Sequence, residues 1–113
     1  MSENWTTKLQ SMKSSMGALG AASPDTMKAF GGLVTSANKE GALNKKTKEL
    51  MAVAISICIR CEGCIAYHVH NAVQLGAVPD EIIETINIAI EMGGGPSTVY
   101  GAKALEAFNE FSR

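Results

Sequence analysis

Apolar residues along this chain recur three and four positions apart, and no stretch of useful length alternates apolar with polar. The first spacing lays a stripe along an α-helix, whereas alternation would mark a half-buried strand. The pattern therefore predicts an all-α fold, a compact bundle of about five to six helices in a single domain over residues 1–113. Ser11 to Leu19 forms a weak first helix that Gly17, Gly20 and Ala21-Ala22-Ser23 end, and residues 1–22 are expected at the periphery. Ser23-Pro24-Asp25 opens a second helix, with Ser as N-cap and Pro where a missing N–H costs nothing. Met27, Phe30, Leu33 and Val34 share one face of it, and it fades near Lys39-Glu40-Gly41. Asn44 caps a third helix, Lys45 to Ile59, whose second half is apolar nearly all round and is expected to be buried. A break falls within Arg60 to Gly63. The fourth helix runs from Cys61 or Glu62 to Gln74, closed by Gly76. Pro79-Asp80-Glu81 opens a fifth helix carrying Ile82, Ile83, Ile86, Ala89 and Ile90, which Gly93-Gly94-Gly95 stops. Pro96 opens the last, with Val99, Ala102, Leu105 and Phe108.

The break and the fourth helix carry the chemistry. Cys61 and Cys64 are two residues apart, and His68 follows one turn later. At about 100° per residue these three side chains lie within roughly 60° of one another. A thiol pair able to close a disulfide therefore sits beside a base able to deprotonate one member. The first turn of a helix favours a thiolate, because its free N–H groups favour negative charge. Glu49 on the third helix is placed to hold the imidazole, as in other sets of nucleophile, base and orienting group. Glu62 opposes this by adding negative charge beside Cys61. His70 falls on another face and is expected to be exposed or structural. Cys58 is expected to be a small core residue of the third helix.

A rival reading uses Cys58 as well. Cys58, Cys61, Cys64 and His68 have the spacing of an iron–sulfur or zinc site. Against it, Cys58 lies in an apolar helical run, cluster loops are normally irregular, and no Pro follows the fourth ligand. The glycine triplet lacks the preceding strand and the spacing of a phosphate loop, and is expected to be a turn between helices.

Composition narrows the class. Hydrophobic residues make up 46% and charged residues 19% of 113, which for so small a domain suggests apolar surface buried between subunits. Net charge is −1, and the only lysine cluster, Lys45, Lys46 and Lys48, is followed at once by Glu49. It reads as a solvated first helical turn, so neither nucleic acid nor a membrane is an expected partner. The N-terminus, from Met1 to Lys8, lacks the basic and apolar regions of a secretory signal, and no apolar run is long enough to span a bilayer. A cytoplasmic location is expected. There a close cysteine pair is catalytic or metal-binding rather than a permanent staple.

The spacing from Glu49 through Cys61 and Cys64 to His68 resembles the redox motif of the alkylhydroperoxidase D / carboxymuconolactone decarboxylase superfamily. Leu43 to Leu50 before the motif, His68-Val69-His70-Asn71-Ala72 with Gly76-Ala77 after it, and Glu91-Met92-Gly93-Gly94-Gly95-Pro96 agree with it, so the likeness spans Pro24 to Phe111. The resemblance implies an all-helical fold with the cysteines at a helix N-terminus, and a thiol-dependent peroxidase or disulfide reductase with no bound cofactor and no metal. It implies Cys64 as the attacking thiolate, Cys61 as the resolving thiol, His68 as the base and Glu49 as its support. It further implies a peroxide or disulfide substrate, a dithiol or thiol protein as reductant, and a homo-oligomer, trimer or hexamer. Peroxidase members carry a second histidine just before the second cysteine, where this chain has Gly63. The decarboxylases that name the superfamily generally lack the cysteine pair, so its presence argues against a lactone decarboxylase, which stands as the alternative enzyme reading.

Overall fold

Two helix starts in this chain are set by asparagine side chains that take up free backbone N–H groups. The computed structural model describes residues 4–113; the first three residues of the Met1–Lys8 segment, which lacks the pattern of a secretory signal, lie outside the described residues. Asn4 Oδ1 accepts Thr7 N–H at 2.7 Å and opens α1, Trp5–Ala22. Asn44 Oδ1 accepts Thr47 N–H at 2.8 Å and opens α3, Lys45–Cys58. Each fills one of the four donors that a helix start leaves unpaired. Between them lies α2, Pro24–Ala37, followed after α3 by α4, Glu62–Gln74, α5, Pro79–Gly93, and α6, Gly95–Phe111. All six are α-helices, as the apolar spacing predicts, and among the described residues none is long and apolar enough to cross a membrane.

Helices α3, α4, α5 and α6 pack around one core in which Val53, Ile57, Ile65, Val69, Ile82 and Phe108 are buried. α1 lies across α4 and α6 and begins six residues earlier than its weak pattern suggests. The cause is tertiary. Trp5 is 1% exposed within the core cluster, its indole N–H donates to Glu106 at 2.9 Å, and Glu110 of α6 accepts the backbone N–H groups of Trp5 and Thr6 at 3.0 and 2.8 Å. Gly17 and Gly20 lie inside the helix and do not end it. α1 thus divides, with Trp5 and Leu9 in the core and Met16 and Leu19 on the surface.

Further expectations are corrected. Ser23 makes no side-chain cap, because its N–H closes α1 on the Leu19 carbonyl at 2.7 Å while α2 starts at the very next residue. In α6 the buried face is Ser97, Gly101, Ala104, Ala107 and Phe108, whereas Val99 is 57% exposed and Leu105 and Ala102 also face outward. The reason is close approach. A Cβ on Gly101 would lie 2.8 Å from Ile86 Cγ2 of α5, so this seam takes small residues and turns the large ones out. The glycine triplet is the expected turn, with Gly94 at φ +71°. α3 is only partly buried in its second half, since Ile55 and Ile59 are exposed. Lys46 and Lys48 are not merely solvated: Lys46 pairs with Glu81 at 3.0 Å, and Lys48 donates to the Ala37 carbonyl at 3.0 Å, tying the end of α2 to α3.

Candidate active site

The turn between α3 and α4 places the cysteine pair. α3 ends in a Schellman motif: Cys61 N–H donates to Ser56 O at 3.1 Å and Arg60 N–H to Ile57 O at 3.2 Å. The residue in the left-handed position is Arg60, at φ +58°, where glycine is the usual occupant. For an L-residue this costs about 1–2 kcal/mol. The sharp reversal sets Cys61 as N-cap of α4, with its Sγ accepting the Cys64 N–H at 3.2 Å. Cys61 and Cys64 are joined as a disulfide, with their Cα atoms 5.2 Å apart. The cysteines therefore sit at a helix N-terminus as expected, one as the cap and one in the first turn.

One turn further along α4 is His68. Its Nδ1 lies 2.7 Å from Glu49 Oε2 of α3, and the Glu49 side chain is only 12% exposed. An ionised carboxylate only accepts hydrogen bonds. Paired with it, Nδ1 carries the proton, so that in the neutral ring Nε2 keeps the lone pair. The other carboxylate oxygen of Glu49 is approached by Asn71 Nδ2 at 3.4 Å. Asn71 was not singled out from the sequence, although it lies three residues after His68, on the same helical face.

Cys61, Cys64 and His68 line one cavity of about 490 Å³. Its walls are apolar, formed by Met12 and Met16 of α1 and Phe30 and Val34 of α2. The sequence stripe on α2 therefore faces the cavity and solvent rather than the core, and no residue of α2 is buried. Gly63 has a packing reason. A Cβ there would come 3.3 Å from Met12 Cγ of α1, a tight contact from which the methionine side chain would have to give by a few tenths of an ångström.

Glu62 is drawn into a cluster of its own. Its Oε1 meets Lys8 Nζ of α1 at 2.7 Å and its Oε2 meets Lys103 Nζ of α6 at 3.5 Å. The hydrogen bond from Lys8 holds its carboxyl below the usual range, against partial burial that raises it, and the Lys103 charge adds to the effect. Neither lysine carried a signal in the sequence, because both are distant from the motif along the chain.

The rival four-ligand set does not converge. Cys58 Sγ faces α5, 3.5 Å from the Ala89 carbonyl, while Cys61 and Cys64 are paired with each other. Among the described residues no group of three or more His, Cys, Asp and Glu side chains is placed to hold a metal ion. His70 lies edge-on against Phe111, with ring centroids 5.1 Å apart.

The chain is similar to known proteins over nearly its whole length. An uncharacterized protein of Cupriavidus necator is 38% identical over 109 residues, covering 96% of each chain. The crystal structure of a carboxymuconolactone decarboxylase family protein from Legionella pneumophila superposes with a TM-score of 0.93 at 41% identity, covering 96% of this chain and 97% of that one. A second, from Thermotoga maritima, described with a possible role in an antioxidative response, gives 0.82 at 31% identity, covering 91% and 88%. The carboxymuconolactone decarboxylase family model matches residues 24–107, and with these likenesses over nearly its whole length the chain belongs to that family.

Proposed function

We propose that this protein is a thiol-dependent peroxidase or disulfide reductase of alkylhydroperoxidase D type. The observation that carries the reading is the Cys61–Cys64 disulfide at the start of α4, opening into the same cavity as a histidine held by Glu49. In the reduced protein His68 takes the Cys64 proton. The Cys64 thiolate attacks the outer oxygen of a hydroperoxide, the O–O bond breaks, and the alcohol leaves with a proton. The sulfenic acid on Cys64 then condenses with the Cys61 thiol, releasing water and forming the disulfide. A dithiol or thiol protein returns two electrons by exchange and is itself oxidised to a disulfide. The possible role in an antioxidative response described for the Thermotoga protein is consistent with this chemistry. Such a pair operates in a reducing compartment such as the cytoplasm.

The direct test is a count of free thiols in dithiol-reduced protein before and after one equivalent of an alkyl hydroperoxide. Two thiols will disappear per peroxide consumed, and Cys58 will remain. Peroxide that persists with the thiol count unchanged rejects the peroxidase reading.

The protein is proposed to work as a homo-oligomer, a trimer or hexamer. The chain exposes 6989 Å², about 1,000 Å² more than the ~5,900 Å² expected of a monomer of its mass. A standard interface takes about 800 Å² from each partner. Phe30, Leu33, Ile55, Ile59 and Met92 are large apolar residues left exposed on the single chain, Leu33 at 63%. Light scattering at micromolar concentration will report a multiple of the chain mass, and a monomer there overturns the assignment.

A further inference from the structure

Glu62 poses a problem for a redox pair. It is the residue directly after Cys61, and an uncompensated carboxylate there disfavours a thiolate. The fold answers with two lysines from different helices. Each carboxylate oxygen faces its own ammonium group, Lys8 Nζ at 2.7 Å and Lys103 Nζ at 3.5 Å. Lys8 is also held from its other side, since its Nζ lies 4.4 Å from the centroid of the buried Trp5 ring. Its position is fixed by the core rather than by a free surface rotamer.

We infer that Lys8 and Lys103 are positioning residues of the redox pair, cancelling the one negative charge inside the Cys61–Cys64 motif so that the reduced pair ionises near neutral pH. The inference rests on the redox reading above. The step it governs is exchange with a dithiol. A donor thiolate attacks one sulfur of the Cys61–Cys64 bond and the bond breaks. The donor's second thiol then displaces the protein sulfur and closes the donor into a cyclic disulfide. The protein is left with one thiolate and one thiol, the latter carrying the proton of the donor's second thiol. The charge beside the leaving sulfur decides how readily that thiolate forms.

The other charged groups near this helix start are Arg60 just before it, Lys13 of α1 in the cavity lining, and Glu49 of α3 on His68. On α6, Glu106 is engaged by the Trp5 indole. These groups stay constant in the variants that follow. An unbalanced unit charge at about 7 Å, in surroundings between protein surface and water, moves a titration by about one pH unit, or tenfold.

The test compares wild type with Lys8→Met/Lys103→Met, and that pair with Glu62→Gln added. Two quantities are read: the pH dependence of thiol alkylation in reduced protein, and the equilibrium with dithiothreitol at pH 8.5. Loss of both lysines will raise the apparent pKa of the reactive thiol by about one unit. It will favour the disulfide about tenfold, roughly 30 mV for a two-electron couple. Half-molar salt will shrink both shifts. Adding Glu62→Gln will restore most of each, although the ion pairs are still missing. A purely structural role would lower the melting temperature in both variants and leave the thiol pKa where it is. An unshifted thiol pKa in the lysine variant overturns the inference, as does a shift that Glu62→Gln fails to reverse. Neither readout uses peroxide, so failure of wild type to consume peroxide counts against the activity proposed above and not against this charge cluster.

Discussion

Cys64→Ser will consume no peroxide, whereas Cys61→Ser, reduced and then freed of excess dithiol, will turn over once and stop with a sulfenic acid on Cys64. The first loses the attacking sulfur. The second keeps it, along with His68 one turn away on the same helix, but has no neighbour to condense with the sulfenic acid. Cys58 cannot stand in for Cys61. Its Sγ is engaged with the Ala89 carbonyl at 3.5 Å, on the side of α3 that faces α5. A dimedone-type reagent will therefore add to Cys61→Ser after peroxide, and mass spectrometry will place the adduct on Cys64. Folding is not the obstacle in either variant. A disulfide spanning so few residues contributes no more than about 2 kcal/mol of loop entropy, and the core of α3 to α6 does not include these sulfurs. An adduct on Cys61 in Cys64→Ser, with none on Cys64 in the converse variant, would show that the two cysteines have exchanged roles.

Glu49→Gln and His68→Gln will each slow thiol attack, and the double variant will be little slower than His68→Gln alone. Glu49 Oε2 and His68 Nδ1 are 2.7 Å apart and largely withdrawn from solvent. The carboxylate fixes the tautomer with Nε2 free and stabilises the imidazolium formed when the Cys64 proton arrives. Glutamine keeps the length and the helix propensity but supplies no charge. General-base assistance is worth about 10²–10⁴-fold, and loss of the supporting carboxylate will fall at the lower end. The measurement is the rate of Cys64 alkylation in reduced protein across pH. Both variants will need a higher pH to reach half the maximal rate. Near-additive losses would mean that the two residues act separately. Alkylation of Glu49→Gln that matches wild type at every pH would reduce the contact to a structural ion pair.

Much of the fold was legible because helix ends have local causes. Asn44 before Lys45, Pro79-Asp80-Glu81 and Gly76 all mark boundaries that the structure keeps. The Glu81 carboxylate even reaches back to the Val78 N–H at 3.0 Å, as its position three residues into a helix allows. α1 was under-read because its start is decided elsewhere. Its first N–H groups are taken by Glu110 at the far end of the chain, and no local pattern around Trp5 announces that. The stripe on α2 was legible as a stripe, but its destination was not. Periodicity says that Phe30 and Val34 share a face, and it does not say whether that face meets a core, a cavity or solvent.

The sequence by itself determined the helical class, the break before α4 and the angular alignment of Cys64 and His68, since all three follow from residue type and the 3.6-residue turn. It also singled out Glu49, through the spacing of the motif. Only the tertiary structure decided which large residues of α6 turn outward, because that depends on how closely α5 approaches at Gly101. Only it separated Cys58 from the cysteine pair, by turning its sulfur toward α5. And only it revealed that Glu62 is neutralised, because Lys8 and Lys103 come from opposite ends of the chain and meet Glu62 through the packing of α1 and α6 on α4. Charge balance at a site is a sum over space, and a sequence lists its charges in one dimension.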